Sequence, residues 1–383
     1  MTMRAAAGAL ALALCVAGSA LSHAAGLTMV TEPPPETLLP PASAAVAAPA
    51  RAAPRPPVTT ARLTAPPEHR RTPDQTFLTF PEWFLVHSPA EYAQYLGSGA
   101  PPSAFPLFAH IGQFWQGYAA VDREVLGKYP FNGGYHLMIC VIGTSTSVEY
   151  TLKGLYEHTI GRLAEATTSG AEPVPEERFA AAYAQRYVDF IRVDPWYLFD
   201  FRAELAALWR DAPLSGPDLI RRWERRFLLT TELLVKSGYA QAIKLATHEI
   251  YDAPRPVTAV VLSALPRADL AAHRDFIALQ SNGDAVLATV PRYEAFTTYA
   301  RWLAEQRIDF REVAGNDGEI LASVLAPADW RPGAGPRVLF VQPLLTQPGR
   351  RRTVMAVPIA QLGEQLRELA RQPALRVEHL YDF

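Results

Sequence analysis

Two segments of this chain carry the same order of polar and apolar positions. Each repeats Glu, Lys, Tyr and Ile at i, i+4, i+7 and i+11, once as Glu149, Lys153, Tyr156 and Ile160 and once as Glu232, Lys236, Tyr239 and Ile243. This spacing places all four side chains on one narrow stripe of an α-helix. Since both segments are otherwise apolar, the pattern predicts two long helices with matched stripes.

Helical periodicity extends over most of the chain between residues 77 and 251. Ser88-Pro89-Ala90-Glu91 has the form of a capping box with proline at the first helical position, which predicts that a short helix starts there. Further helices are predicted over residues 106–126, 135–166, from 175, 201–210 and 217–251. No strand is predicted before residue 255.

The pattern changes after residue 256 to short runs with β-strand character. A strand, a helix and a strand occur in that order twice, with helices predicted over 292–306 and 359–371. Asn316-Asp317-Gly318 predicts a hairpin turn. The chain is therefore predicted to be α+β, with an N-terminal all-α helical bundle and a C-terminal ferredoxin-like α+β sandwich of two β-β-α-β units. Such a sandwich does not by itself specify a function.

The N-terminus predicts export. Arg4 precedes an uncharged run over residues 5–21, and small residues around Ala24 offer a cleavage site, so residues 1–25 are predicted to be a signal peptide, with an uncleaved anchor at 5–21 as the alternative. Residues 26–73 are rich in Pro and Ala and predict a disordered tether. The folded parts are then residues 74–253 and 254–383, in the periplasm or the cell envelope.

Composition narrows the classes of partner. The formal net charge is −2, which gives no electrostatic case for nucleic acid. Removal of the signal peptide would leave Cys140 as the one cysteine, so an internal disulfide is not expected. The histidines lack the spacing of metal ligands. The sequence contains no phosphate-binding loop, no Gly-x-Gly-x-x-Gly turn of a dinucleotide-binding fold and no nucleophile elbow. No metal and no cofactor are therefore predicted.

The Glu–Lys–Tyr stripes are the candidate catalytic residues. If the helices face each other, Glu149, Lys153, Glu232 and Lys236 could form a buried polar network that fixes the helix register. A solvated face is the second interpretation. In the third, a catalytic site, a buried Glu would act as base, a desolvated Lys as acid or nucleophile, and Tyr156 and Tyr239 would assist. The apolar surroundings favour the network.

A basic cluster begins the last predicted helix of the bundle. Its candidate binding residues are Arg221, Arg222, Trp223, Arg225 and Arg226. Pairing with Glu204 and Asp211 of the preceding helix, or a solvated face, is the favoured interpretation. The alternative is docking to anionic headgroups or an acidic partner, with Trp223 at the interface.

These patterns together predict an exported cell-envelope protein with a non-enzymatic binding or scaffolding role. Its partner would be an envelope protein or an anionic surface, and no oligomeric state is predicted. Two alternatives remain: an enzyme whose site lies between the two stripes, and a peripheral membrane protein that uses the aromatic segment 77–86 and the basic cluster. An enzyme requires a solvent-reachable pocket at the stripes, whereas a membrane role requires an exposed aromatic patch.

Overall fold

A computed structural model of the chain describes residues 62–170, 172–247 and 256–382. The predicted signal peptide and anchor, and the tether up to residue 61, lie outside the described residues. The last part of the predicted tether differs from expectation, because Leu63 and Ala65 are buried against the first β-sheet. The Ala65 amide donates a hydrogen bond of 2.6 Å to the Glu312 carboxylate, which holds this segment on the sheet.

Six helices of 11 or more residues lie in the described N-terminal part. They are α1 (Gln75–Gly97), α2 (Leu107–Val125), α3 (Gly133–Tyr156), α4 (Pro175–Ile191), α5 (Phe201–Asp211) and α6 (Leu219–Thr247). A π-helical turn, Glu157–Gly161, and a final turn, Arg162–Glu165, continue α3. The all-helical character predicted for this part agrees with these elements.

The predicted helix start at Ser88 is wrong. Helix α1 passes through this sequence without a break and contains Pro81 and Pro89 in its interior. The Ser88 hydroxyl is within 3.0 Å of the His110 ring instead of capping a helix end. The Glu91 carboxylate likewise accepts from Thr346 at 2.9 Å. Tertiary partners have therefore replaced the local capping bonds that the pattern suggested.

The C-terminal part contains eight strands and two helices. The strands are β1 (Val257–Leu262), β2 (Ile277–Ser281), β3 (Val286–Pro291), β4 (Phe310–Val313), β5 (Glu319–Pro327), β6 (Arg337–Pro343), β7 (Arg350–Pro358) and β8 (Arg376–Tyr381). Helix α7 (Glu294–Glu305) joins β3 to β4, and α8 (Leu362–Ala370) joins β7 to β8. The predicted α+β class is confirmed.

The two repeated units build separate antiparallel sheets. Their strand orders are β2-β3-β1-β4 and β6-β7-β5-β8, so both units have the same topology, with three strands before the helix and one after it. The hairpin predicted at Asn316-Asp317-Gly318 is wrong, because this turn joins β4 of the first sheet to β5 of the second. The Asn316 side chain accepts from the Gly318 amide, a local turn that suits any chain reversal.

Both units share one apolar core, and the helical part covers the other face of the second sheet. Helices α7 and α8 pack into a core formed by residues of both sheets. On the opposite face of the second sheet, Phe77, Phe80 and Phe84 of α1 pack against Val354 and Tyr381. The aromatic segment 77–86 is thus largely interior, which contradicts its predicted role as an exposed membrane patch.

Candidate functional site

The structure brings four of the predicted site residues together between α3 and α6. The Lys153 ammonium lies 3.0 Å from a Glu232 oxygen, and the Lys236 ammonium lies 3.1 Å from a Glu149 oxygen. Lys236 also pairs with Glu232 within α6 at 3.0 Å. Each lysine therefore pairs with the glutamate of the opposite helix, as two antiparallel helices with the same stripe would.

Burial and ion pairing keep Lys153, Lys236 and Glu232 of this quartet charged. The Lys153, Glu232 and Lys236 side chains are 13–17% exposed, whereas that of Glu149 is 44% exposed. Burial lowers the pKa of Lys153, but the surrounding acidic groups, Glu232 foremost, together outweigh burial and raise the pKa overall. Burial raises the pKa of Glu232, but the two lysines outweigh it and hold that pKa well below its usual range. A fully protonated Lys is not a nucleophile and a strongly ionised Glu is a weak base.

The two predicted tyrosines do not join the quartet. The Tyr156 hydroxyl faces Glu224, and burial together with that carboxylate raises the pKa of Tyr156. The Tyr239 ring packs on Trp196, with 5.2 Å between ring centroids. Since both side chains have other partners, neither is placed to assist a Glu–Lys pair.

Two tyrosines that the sequence analysis did not single out lie beside the lysines instead. The Lys153 ammonium is 4.5 Å from the ring centroid of Tyr92, and the Lys236 ammonium is 5.1 Å from that of Tyr187. Cation–π contacts of this kind stabilise a desolvated ammonium. Tyr92 belongs to α1 and Tyr187 to α4, so no pattern within α3 or α6 could have indicated them.

The basic cluster is buried in ion pairs. Its four guanidinium groups pair with the carboxylates of Glu176, Glu177, Glu157 and Glu224. Arg221, Arg222, Arg225 and Arg226 are each at most 3% exposed. The paired carboxylates therefore neutralise all four positive charges, and Trp223 is the one exposed residue of the cluster.

The predicted partners of the cluster are engaged elsewhere. Glu204 pairs with Arg186 at 2.6 Å, and Asp211 pairs with its neighbour Arg210 at 2.6 Å. Neither pairing with those residues nor a solvated face describes this cluster. The spacing within α6 could not indicate the true partners, because three of them, Glu157, Glu176 and Glu177, come from the turn after α3 and from α4.

Further contacts join the π-helical turn after α3 to α6. Beyond the quartet, Arg225 pairs with Glu157 at 2.7 Å, and the Arg221 guanidinium donates to the Gly161 carbonyl at 2.9 Å. Along this row of contacts, residue numbers rise in α3 and its following turn while they fall in α6, so the two helices are antiparallel. We call this row of contacts the ionic seam: Glu149, Lys153, Glu157, Gly161, Arg221, Arg225, Glu232 and Lys236.

The sides of α3 and α6 that face away from the protein are apolar. We call the following set the outer face: Leu137, Val148, Leu152 and Leu155 of α3, and Ile220, Trp223, Phe227, Leu234, Val235 and Leu245 of α6. Each of these residues is at least 38% exposed. From Leu219 to Leu245, every exposed residue of α6 is uncharged. Buried charges beneath an exposed apolar surface reverse the usual distribution in a soluble protein.

Two equivalent residues of the outer face, Leu152 and Val235, lie on one side of the helix pair. Antiparallel helices that pair through equivalent side chains are related by a local two-fold axis perpendicular to their common plane. Equivalent residues therefore emerge on the same side of that plane. Leu152 directly precedes Lys153, and Val235 directly precedes Lys236, so these two apolar side chains flank the ionic seam on one side.

A second polar cluster lies between α1, α2 and α3. Ser88 Oγ is 3.0 Å from His110 Nδ1 and 2.8 Å from the Tyr150 hydroxyl, and Glu91 lies 3.9 Å from His110 Nε2. These residue types resemble a nucleophile, base and acid. All four side chains are buried, and the Phe105 ring stacks on His110 at 4.7 Å, which encloses the cluster. It therefore acts as a polar link between three helices.

A third polar cluster joins α1 to the second sheet. Arg352 makes two hydrogen bonds to Glu378, of 2.5 and 2.8 Å, and His87 lies 3.8 Å from the same carboxylate. The register of β8 with β5 shifts at Glu378, a β-bulge that re-aims this side chain. Burial lowers the pKa of His87 to about 3. The His379 ring lies against the Trp83 ring beside this group, with 3.6 Å between the ring centroids.

Three further observations bear on function. No group of three or more His, Cys, Asp or Glu side chains among the described residues is placed to hold a metal ion. Within the same residues, no helix has the length and apolar content needed to cross a bilayer. Comparisons with protein-family models, curated proteins and solved structures returned no match for this chain.

Proposed function

We propose that this chain is a non-enzymatic binding protein of the cell envelope and that the outer face is its binding surface. The observation that carries the proposal is the reversed polarity of α3 and α6. Their charged groups pair inward, whereas large apolar side chains such as Leu155 and Phe227 are 54% and 63% exposed. Contiguous apolar surface of this kind marks an interaction site in most soluble proteins.

The ionic seam suits a rigid platform rather than a reaction. Its ion pairs fix the register of two long helices, so the apolar side chains are held in place before a partner arrives. Such preorganisation lowers the entropic cost of binding. The pKa shifts of Lys153 and Glu232 also favour this role over the catalytic alternative, because both groups stay charged at neutral pH.

The proposal also includes export from the cytoplasm and a ferredoxin-like assignment for the fold of the two repeated units. The charge and apolar pattern of residues 1–25 supports a signal peptide or an anchor, and hence a periplasmic or envelope location. Each repeated unit differs from a ferredoxin-like β-α-β-β-α-β arrangement in having a loop in place of the first helix. On this interpretation, the sheets form a scaffold that carries the helix pair.

Oxidative footprinting in isolated envelopes tests whether the outer face is covered. Hydroxyl radicals oxidise exposed Met and Trp side chains, and Met138 and Trp223 beside or within the outer face are 39% and 46% exposed. We expect both to be oxidised several-fold less in envelopes than in the purified protein. Leu265 and Leu270 of the sheet part, 36% and 48% exposed, serve as controls and should change little. Equal oxidation of Met138 and Trp223 in both samples would overturn the proposal.

A further inference from the structure

We infer that the outer face docks on the hydrocarbon boundary of a lipid bilayer, with α3 and α6 lying in the plane of the membrane. This inference rests on the proposed function and names the partner of that surface. It differs from the membrane role considered from the sequence, which relied on the basic cluster and on segment 77–86. Both of those features are largely buried.

The chemistry of the outer face matches lipid chains better than a protein partner. Protein interfaces normally combine an apolar centre with a polar rim and about one hydrogen bond for every 100–200 Å². From Leu219 to Leu245, the exposed residues of α6 include no charged side chain. On α3, the one exposed charged side chain from Gly133 to Tyr156 is Glu149, which is paired with Lys236. Lipid hydrocarbon requires neither hydrogen bonds nor charges from the protein.

The ionic seam has the arrangement that ionisable residues take near lipid. Charged groups in or beside a bilayer face the protein interior and pair with one another. Lys153, Glu232 and Lys236 do so, since each is 13–17% exposed and makes an ion pair of 3.0–3.1 Å. The same pairs would be unnecessary on a surface that water solvates.

The length of α6 suits a helix that lies shallowly in the membrane surface rather than one that crosses the bilayer. From Ile220 to Leu245 a straight helix extends roughly 37 Å at about 1.5 Å per residue. Interfacial helices of this kind bury their apolar side about 5–10 Å deep. At one end of α6, the rings of Trp209 and Trp223 meet edge to face, 6.2 Å apart, and both are 46% exposed. Tryptophan is enriched at the headgroup level, where its ring is apolar and its N–H can be solvated.

The sequence before residue 62 would bring this surface to a membrane. Its uncharged run at residues 5–21, the alternative anchor, is followed by about 40 residues rich in Pro and Ala. If that run stays in place as the anchor, it keeps the folded part near the bilayer and raises its effective concentration there. The outer face would then need only modest intrinsic affinity.

Site-specific fluorescence on vesicles tests the inference with the full chain. Cys15→Ser and Cys140→Ala remove the native thiols, and single cysteines at Leu155→Cys or Leu234→Cys then carry the fluorophore NBD. The probe membrane is phosphatidylcholine vesicles with a nitroxide on the acyl chains, which quench NBD only within the hydrocarbon. We expect at least two-fold quenching at both positions, unchanged at high salt because the outer face is uncharged.

A matched control separates docking of this face from tethering by the N-terminus. Ile277→Cys on β2 starts from a residue that is 54% exposed, close to the exposure of Leu155 and Leu234, but it lies in the first sheet. A tether alone would leave all three labels equally unquenched, and that result would overturn the inference. Quenching that is equal at Ile277 would also overturn it, since docking would then not be specific to this face.

The two experiments fail in different ways. Protection of Met138 and Trp223 in envelopes without lipid quenching at Leu155 and Leu234 would keep the binding function and reject lipid as the partner. A protein or a second copy of the chain would then cover the outer face, and sedimentation of the purified protein would identify the second copy. Absence of both signals would reject the binding function together with the inference.

Discussion

At the scale of single residues, burial gives equivalent positions of the repeated pattern different energetic roles. Glu149 and Glu232 occupy the same position in the two stripes, yet Glu232 lies between two lysines and is 13% exposed, whereas Glu149 is 44% exposed. A buried charge that loses its partner is costly, whereas a solvated one is not. The two glutamates should therefore respond differently to the same substitution.

Glu232→Gln should destabilise the protein by about 3 kcal/mol, because it leaves Lys153 and Lys236 without their shared partner in a buried site. Glu149→Gln should cost less than about 1 kcal/mol, since solvent already screens that pair. Urea unfolding of both variants measures the difference. Adding Lys153→Met to Glu232→Gln should cost less than the two single changes together. Equal costs for the two glutamate variants would contradict the assignment.

The residues of the seam were partly foreseeable. Spacing within each helix placed Glu149, Lys153, Glu232 and Lys236 on their stripes, and antiparallel packing then made them meet. Tyr156 and Tyr239 share those stripes but turn to other partners, Glu224 and Trp196. Spacing specifies which face a side chain occupies, and tertiary packing decides what it contacts.

At the scale of elements, α3 is held against α2 by close backbone approach. A Cβ atom on Gly143 of α3 would overlap the ring of Phe114 on α2, whereas one on Gly112 of α2 would meet no atom within 4 Å. Glycine is therefore required at position 143, whereas position 112 has room for a side chain.

Gly143→Ala should destabilise the protein by about 1–3 kcal/mol through overpacking against Phe114, despite the better helix propensity of alanine. Gly112→Ala is the matched control and should stabilise by up to about 1 kcal/mol, because it restricts the unfolded chain without a clash. Thermal unfolding of both variants gives the comparison. Stabilisation by both substitutions would show that α3 does not lie this close to α2.

Element prediction succeeded where periodicity was long and failed where short signals had two meanings. The long helices and the strands around α7 and α8 follow from their patterns. The capping sequence at Ser88 and the turn at Asn316 are local signals that tertiary contacts overrode. Strand β2 has only five residues and alternates weakly, so no pattern marked it.

At the scale of the whole molecule, buried polar clusters within the helical part, and between it and the second sheet, make the fold sensitive to acid. Burial lowers the pKa of His87 and of His110 from 6.5 to about 3. Burial raises the pKa of Glu378, but the charges and hydrogen bonds around it, those of Arg352 foremost, together outweigh burial and lower that pKa from 4.5 to about 2. No short segment of sequence could predict these clusters, since each combines residues from distant elements.

The free energy of unfolding should decrease as pH falls below 6.5. Between pH 6.5 and about 3 the unfolded chain binds protons at His87 and His110 that the folded chain does not, so acid favours unfolding. Glu378 acts in the same direction between pH 4.5 and about 2. Each histidine contributes a slope of about 1.4 kcal/mol per pH unit. Urea unfolding at several pH values measures this slope. A free energy of unfolding that stays constant from pH 7 to 4 would contradict the burial of these histidines.

The most direct test of the account compares two neighbours on α6, one in the ionic seam and one on the outer face. Glu232→Gln should lower stability by about 3 kcal/mol. Leu234→Glu should change stability by less than about 0.5 kcal/mol but expose Met138 and Trp223 to oxidation in envelopes as fully as in the purified protein. If Leu234→Glu instead unfolded the protein, or left those two side chains protected, the outer face would not be a binding surface.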